Sequence, residues 1–400
     1  MSHRLDRDAG GKPMSAHLAP RRVLLSGNHA VAWGARLARP KVVPVYPITP
    51  QTPVLELLTE FQAAGEFDAE ILTPESEHSV MAACIPASLA GVRVFTATAS
   101  QGLMLMHELL HYAVGARAPI VMANVNRTIG APWAFWPDQT DSIAQRDTGW
   151  IQFYVESAQE ALDTVIQAFR IAERVLLPAM VNIDAFYVSH ALEPVVIPPQ
   201  ALVDAYLPPF KPEHFLDPQR SESWGNVVTQ DMFYRHRHDI GTAMQRVSAA
   251  ATEADHDWEL ATGRGWGAIE RYRCEGAELA IVTMGSMCGT ARDAVDALRE
   301  AGVPAGLVKV RLFRPLPAAE LRKALAGVRD ALVLDRNFSP GVGGVLNQEL
   351  RAALYGMKDA PHVHGYLAGV GGVNVPPGKI VEFAKKVRGA QAAPEPVWAR

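Results

Sequence analysis

Short apolar runs alternate with segments of helical periodicity along most of this chain, and few folds accept that alternation. Runs over 42–46, 71–72, 92–97, 119–125 and 177–183 read as strands with apolar residues on both faces. Between them lie helix-patterned segments over 27–35, 53–61, 79–89, 103–113 and 158–172. The last of these places Ala161, Leu162, Val165, Ile166 and Phe169 on one face. Strands apolar on both faces and joined through helices pair in parallel, with helices covering each face of the sheet.

The alternation stops between about Glu193 and Gly267. Pro194, Pro198, Pro199, Pro208, Pro209, Pro212 and Pro218 break that stretch, which reads as a surface connector with one helix over 231–250. A second α/β unit follows, with strands over 279–283, 305–310 and 331–334 and helices over 290–301, 318–326 and 345–354. The expected organisation is two doubly wound α/β domains, 21–250 including the connector and 268–388, behind a flexible polar tail over 1–20.

Composition removes several function classes. The chain has 38 Lys and Arg against 42 Asp and Glu, so it lacks the basic excess that attracts nucleic acid. No stretch reaches the roughly 18 apolar residues needed to cross a membrane, and the first twenty residues lack the apolar core of a secretory leader. Cys84, Cys274 and Cys288 are widely spaced and form no CxxC pair, which argues against a disulfide framework, an iron–sulfur cluster or a metal site in this chain. A reducing cytoplasm is the expected compartment.

Sheets of this kind carry their chemistry where the carboxyl ends of the strands meet loops and helix N-termini. Four polar segments fall there: Tyr46-Pro47-Ile48-Thr49-Pro50, Glu75-Ser76-Glu77, Thr98-Ala99-Ser100-Gln101-Gly102 and Asn126-Arg127. Each alone is explained by turn chemistry, with prolines stiffening a loop and Ser76 or Ser100 capping a helix. Together on one sheet edge they make a site.

Those segments, with Arg146-Asp147-Thr148-Gly149-Trp150-Ile151-Gln152, Lys309-Val310-Arg311-Leu312-Phe313-Arg314-Pro315 and Asp335-Arg336-Asn337 in the same order, make the chain resemble one known family. It is similar to the alpha subunit of the pyruvate:ferredoxin oxidoreductases, thiamine-diphosphate enzymes that oxidatively decarboxylate 2-oxoacids onto coenzyme A. The resemblance implies a thiamine-diphosphate pyrimidine-binding domain followed by a transketolase C-terminal-like domain. It implies that Glu77 faces N1′ of the aminopyrimidine, where a carboxyl group favours the imino form that deprotonates the thiazolium. Glu75 is the alternative carboxylate, and helix capping the alternative use of both.

By the same resemblance Thr49 and Arg127 bind the substrate carboxylate, and Tyr46 and Pro47 wall the pyrimidine pocket. A guanidinium suits a carboxylate, although an ion pair with Asp138 or Asp141 would also occupy Arg127. The diphosphate and its Mg²⁺ would be held by a beta subunit, and 4Fe-4S clusters by beta- and delta-type chains, with a gamma subunit completing the complex. Electrons would leave to ferredoxin or to a flavoprotein that serves NAD.

Three features stand apart from that pattern. The run over 130–141 is aromatic, with Trp133, Phe135 and Trp136, and carries Gln139 where pyruvate enzymes are expected to have histidine. Such rings would line a pocket for an aryl or other bulky 2-oxoacid such as phenylglyoxylate, or would pack against a subunit. His107-Glu108-Leu109-Leu110-His111 is formally the zinc-peptidase signature, with no third ligand spaced after it. A zinc metallopeptidase and a noncatalytic scaffold subunit are therefore the rival readings. The cluster Tyr234-Arg235-His236-Arg237-His238 reads as a solvated helix face or a partner contact.

Overall fold

Parallel strands Phe95–Thr98, Val121–Asn126, Ala179–Asp184 and Ile151–Val155, in that spatial order, form the centre of the first unit in the computed structural model. The structure describes residues 20–220, 222–393 and 396–399, so the tail expected over 1–20 lies outside the described residues apart from Pro20. Val42–Pro44 pairs in parallel with Glu70–Leu72 and reaches the sheet through a bridge from Val42 to Val94. Every residue of the central strands is buried, as their apolar patterning requires.

The polar exceptions within these strands satisfy one another. Asn124 Nδ2 donates to Asn182 Oδ1 at 3.2 Å, Asn182 Nδ2 to the Phe153 carbonyl at 3.0 Å, and Gln152 Nε2 to the Ser142 carbonyl at 2.9 Å. Ile151–Val155 was not expected as a strand, because Gln152 and Tyr154 interrupt its apolar run. Both side chains find buried partners, Tyr154 sharing a hydrogen bond with Ser142 at 2.8 Å.

Helix Ala158–Val175 opens on Ser157, whose hydroxyl accepts the Glu160 N–H, and closes on Leu176 in the left-handed region at φ 52°. It packs against helix Gly27–Ala38. At their crossing a Cβ on Gly34 would lie 2.7 Å from the Leu162 carbonyl oxygen, so no side chain fits there. The single helix expected over 103–113 is divided into Ser100–Leu105 and His107–Gly115.

The connector is more ordered than its prolines suggested. Leu192–Ile197 pairs antiparallel with Arg21–Ser26, and Gln200–Tyr206 is helical. The helix expected over 231–250 is Gln230–Thr262, 33 residues and roughly 50 Å long. Its second half looks polar in sequence, yet Ala251, Ala254 and Trp258 lie buried at helical spacing, and Gly263 ends it at φ 74°.

The second unit is also doubly wound. Parallel strands run in the order Val397–Trp398, His362–Leu367, Asp330–Asp335, Leu279–Thr283, Ala305–Val310, with Ile269–Tyr272 antiparallel at the far edge. Leu279 and Ile281 pack with helices Met287–Glu300 and Pro377–Val387, while Ala280 and Val282 pack with Ala318–Ala324 and Val345–Leu354 on the other face.

The two units share a strand and a buried ion cluster. Leu312–Arg314, carried by the second half of the chain, lies antiparallel to Ile151–Val155. Just before it, Lys309 Nζ sits 2.8 Å from Glu160 Oε2, with both side chains buried. Arg311 donates to Thr164 Oγ1 at 2.9 Å and to the Gly267 carbonyl at 3.0 Å, and Arg292 bridges Glu156 and Glu270, each at 2.8 Å. Removing one partner of a buried pair strands the other. Lys309→Ala is therefore expected to cost about 3–5 kcal/mol of unfolding free energy, read from the urea midpoint at constant slope. A loss below about 1 kcal/mol would contradict this account of the junction.

Candidate functional site

The helix Glu77–Leu89 begins where the sheet edge presents its loops. Ser76 caps it in an extended conformation, its hydroxyl accepting the Ser79 N–H at 3.3 Å. Glu75 is exposed and accepts the Ser79 hydroxyl at 2.5 Å, which assigns it to the helix start. Glu77 is only 8% exposed. Gly102 packs against it: a Cβ there would lie 2.6 Å from Glu77 Oε1 and 2.5 Å from Thr98 Oγ1. The carboxylate thus rests on bare backbone, and the glycine is required by that approach.

Arg127 follows the last residue of strand Val121–Asn126 and is 4% exposed. Its guanidinium donates to the Thr49 carbonyl through Nη1 and to Gln101 Oε1 through Nη2. The guanidinium carbon stands 4.7 Å from the ring centre of Trp133 and 5.8 Å from that of Phe135. Nε is buried without a partner.

Neither acid weighed as an ion-pair partner takes the guanidinium. Asp138 Oδ1 accepts the Thr140 N–H at 2.9 Å and its hydroxyl at 2.5 Å, and Asp141 accepts the backbone N–H of Arg127 at 3.2 Å. Burial lowers the Arg127 pKa from its ordinary value, and the charges of Asp141 and Glu77 oppose that shift. A buried cation with an unpartnered donor and no paired carboxylate among the described residues has its charge left uncompensated by this chain, which favours an anion nearby.

Thr49 lies against Arg127 through its carbonyl, and its side chain is exposed. The loop is held from below by Asn28 Nδ2, which donates to the Pro50 carbonyl at 2.7 Å. On the same loop Tyr46 is half-buried against the core and Pro47 is exposed. Thr49, Glu77 and Arg127 are thereby brought to one place, with Gln101 and Gly102 as adjacent links between the guanidinium and the carboxylate.

Asp141 was weighed in the sequence only as a partner for Arg127, and the structure gives it a larger place. Its Oδ1 accepts Asn126 Nδ2 at 2.6 Å and the Ser142 N–H at 2.7 Å. Its Oδ2 accepts the Ser100 N–H at 3.0 Å, the Arg127 N–H at 3.2 Å and Asn124 Nδ2 at 3.3 Å. Burial pushes its carboxyl up to about 7, against the pull of those hydrogen bonds. The available signal was the pair Asn124 and Asn126, two amides on one face of an otherwise apolar strand.

The aromatic run is anchored on the second unit. Gln139 Nε2 donates to Asp184 Oδ1 at 3.2 Å, and the Gln139 N–H to the Arg336 carbonyl at 2.9 Å. Arg336 pairs with Asp184 at 2.8 Å, and the Ser286 hydroxyl donates to the same carboxylate at 2.7 Å. Asp335 accepts the Leu346 and Asn347 N–H groups at 2.8 and 3.1 Å, capping helix Val345–Leu354. Trp133, Phe135 and Trp136 remain about half exposed.

His107 and His111 meet edge to face with ring centres 5.2 Å apart, and His107 Nδ1 contacts Gln145 Oε1 at 2.5 Å. Among the described residues no group of three or more His, Cys, Asp or Glu side chains is placed to hold a metal ion. His236 Nε2 donates to the Gly115 carbonyl at 2.8 Å, so the 234–238 cluster lies on the long helix beside the HELLH helix.

Two family descriptions match the chain: pyruvate flavodoxin/ferredoxin oxidoreductase, thiamine-diphosphate-binding, over residues 33–256, and pyruvate:ferredoxin oxidoreductase core domain II over 277–380. The chain is 48% identical over 365 residues to pyruvate synthase subunit PorA of Methanothermobacter thermautotrophicus, covering 91% of this chain and 94% of the relative. It is 46% identical over 355 residues to ketoisovalerate oxidoreductase subunit VorA of Pyrococcus horikoshii, covering 88% and 90%. In fold it is similar to a 2-oxoglutarate:ferredoxin oxidoreductase from Magnetococcus marinus, with a TM-score of 0.69 at 20% identity, covering 91% of this chain and 65% of that one.

Proposed function

The chain belongs to the pyruvate:ferredoxin oxidoreductase family, and from that premise we propose that it is the alpha-type subunit of a heteromeric, thiamine-diphosphate-dependent 2-oxoacid oxidoreductase. The observation that carries this reading is the buried Arg127 guanidinium, without a partner at Nε and unpaired with any carboxylate among the described residues, within electrostatic reach of the Glu77 carboxylate.

The residues fit the pyrimidine end of the cofactor. Glu77 packs its carboxylate directly on the bare backbone of Gly102, which fixes that acid in place at the start of its helix. In this reading Glu77 holds the proton at N1′, and Tyr46 and Pro47 flank the ring. Thr49 and Arg127 hold and neutralise the substrate carboxylate, while Trp133 and Phe135 shield the guanidinium from water. When bound, the cofactor supplies the electron sink for loss of CO2 from a 2-oxoacid.

We assign the diphosphate and its Mg²⁺ to a beta subunit and the 4Fe-4S clusters to beta- and delta-type subunits, with a gamma subunit completing the complex. Coenzyme A takes the acyl group, and ferredoxin or a flavoprotein takes the electrons. The support within this chain is that its three cysteines are free, buried and dispersed, so they cannot provide a cluster's thiolates. A cytoplasmic location belongs to the same reading. No helix of the described residues is long and apolar enough to cross a membrane.

In the assembled complex, Glu77→Gln is expected to lower turnover by roughly 10²- to 10⁴-fold with assembly intact by size-exclusion chromatography. Unchanged turnover would leave only a scaffold role. Arg127→Ala is expected to raise the 2-oxoacid KM roughly 10- to 100-fold, the worth of one charge-assisted hydrogen bond, and an unaltered KM would remove it from the clamp.

The aromatic pair over Arg127 favours a finer reading, a 2-oxoacid whose apolar side chain is larger than the methyl of pyruvate, with phenylglyoxylate as the aryl case. A panel of pyruvate, ketoisovalerate and phenylglyoxylate should show a larger substrate ahead of pyruvate by about 10-fold or more in kcat/KM. Preference for pyruvate would refute that reading and leave the reaction class standing.

A further inference from the structure

We propose that Asp141 is the positioning residue of this site, one carboxylate that holds the Arg127 clamp and the Ser100–Gly102 turn in register with each other. The inference rests on the reading of Arg127 and Glu77 given above. Its basis is geometric. A single oxygen, Oδ2, takes the backbone N–H of Ser100 at 3.0 Å and that of Arg127 at 3.2 Å, so the ends of two neighbouring strands are stapled at one atom.

Each staple fixes something further along. Ser100 is held with φ at 48°, in the left-handed region that a non-glycine residue occupies only under constraint. Its hydroxyl lies within donating reach of the Thr128 carbonyl and of Gln101 Oε1, with one proton to give to either. From that strained start, Gln101 reaches the Arg127 guanidinium and Gly102 lies under the Glu77 carboxylate. Moving Asp141 would therefore shift the anion clamp and the floor beneath Glu77 together.

All of the donors on Asp141 are nitrogens, two or more on each oxygen. An amide in its place sets an NH2 group against at least two N–H donors, whichever way it turns, so asparagine is not a silent replacement. Protonation has the same effect on a smaller scale. The titratable groups around it are Arg127, just past the end of its strand, Glu77 at the start of a neighbouring helix and, through Ser142, Tyr154; His107 reaches the Asp141 backbone carbonyl through Gln145.

The sign follows from a carboxyl raised to about 7 in the folded chain. Its contribution to stability is fully present below the ordinary carboxylate range and is lost as pH rises through about 7, whereas the staple is complete only when the group is ionised. Stability and substrate affinity should thus move in opposite directions, which a merely structural residue would not produce.

The test uses the complex with its partner subunits, followed from about pH 6 to pH 8. As pH falls in the wild type, the 2-oxoacid KM should rise while the unfolding midpoint holds or increases. Asp141→Asn should raise KM about 10-fold or more, flatten that pH dependence and speed deuterium exchange at the Ser100 and Arg127 amides. A variant with wild-type KM and wild-type exchange overturns the proposal. If the variant does not assemble, a wild-type KM flat with pH overturns it alone. A wild type that oxidises no 2-oxoacid refutes the proposed function instead, and the amide exchange still decides the role of Asp141.

Discussion

Inside a parallel sheet a polar atom must find its partner in the sheet or in the loops above it, and two buried carboxylates meet that requirement at adjacent strand ends. Asn126 and Asp184 are register partners on neighbouring strands. The Asn126 amide turns to Asp141, which gathers the loops of the site, while Asp184 gathers Gln139, Ser286 and Arg336 from the junction. The site and the second unit are thus tied to the same sheet edge by two acids, one bonded to Asn126 and the other its register partner. An apolar residue at either place would leave several buried N–H groups without acceptors, each costing about 1–3 kcal/mol.

The same economy explains where the second unit's most recognisable residues lie. Lys309, Arg311 and Leu312–Arg314 contact Glu160, Thr164 and Ile151–Val155 of the first unit. Asp335 caps a helix and Arg336 reaches across to Asp184. Arg336 also supports the aromatic run over 130–141, its carbonyl accepting the Gln139 N–H at 2.9 Å. The transketolase-like unit acts on the site through packing.

Much of this was legible in the chain. Strand and helix alternation located both sheets, and the rule that loops at strand carboxyl ends carry chemistry placed Thr49, Glu77 and Arg127 on one edge, where they are found. What could not be read depended on contacts distant in sequence. Ile151–Val155 was not read as a strand, and its polar Gln152 and Tyr154 are accommodated at the centre of the sheet by Ser142. The long helix was expected to stop at 250, and it runs on to Thr262 because Ala251, Ala254 and Trp258 are buried at helical spacing. Asp141 looked like a counterion because only the folded chain shows that five N–H donors reach it first.

Arg127 also bears on why this chain reads as a subunit. A guanidinium attracts a carboxylate strongly only where water is excluded, since the same charge pair weakens severalfold in a high-dielectric surrounding. On this chain the guanidinium itself is buried, yet the rings above it, Trp133 and Phe135, are each 47% exposed, and Trp136 beside them is 49% exposed. Half-exposed indoles and phenyls clustered at one edge are a cost to an isolated chain and a natural contact for another surface. A second chain seated there would exclude water from the guanidinium. The arrangement therefore makes chemical sense as one wall of a site, with its charge, its acid and its apolar rim already in place.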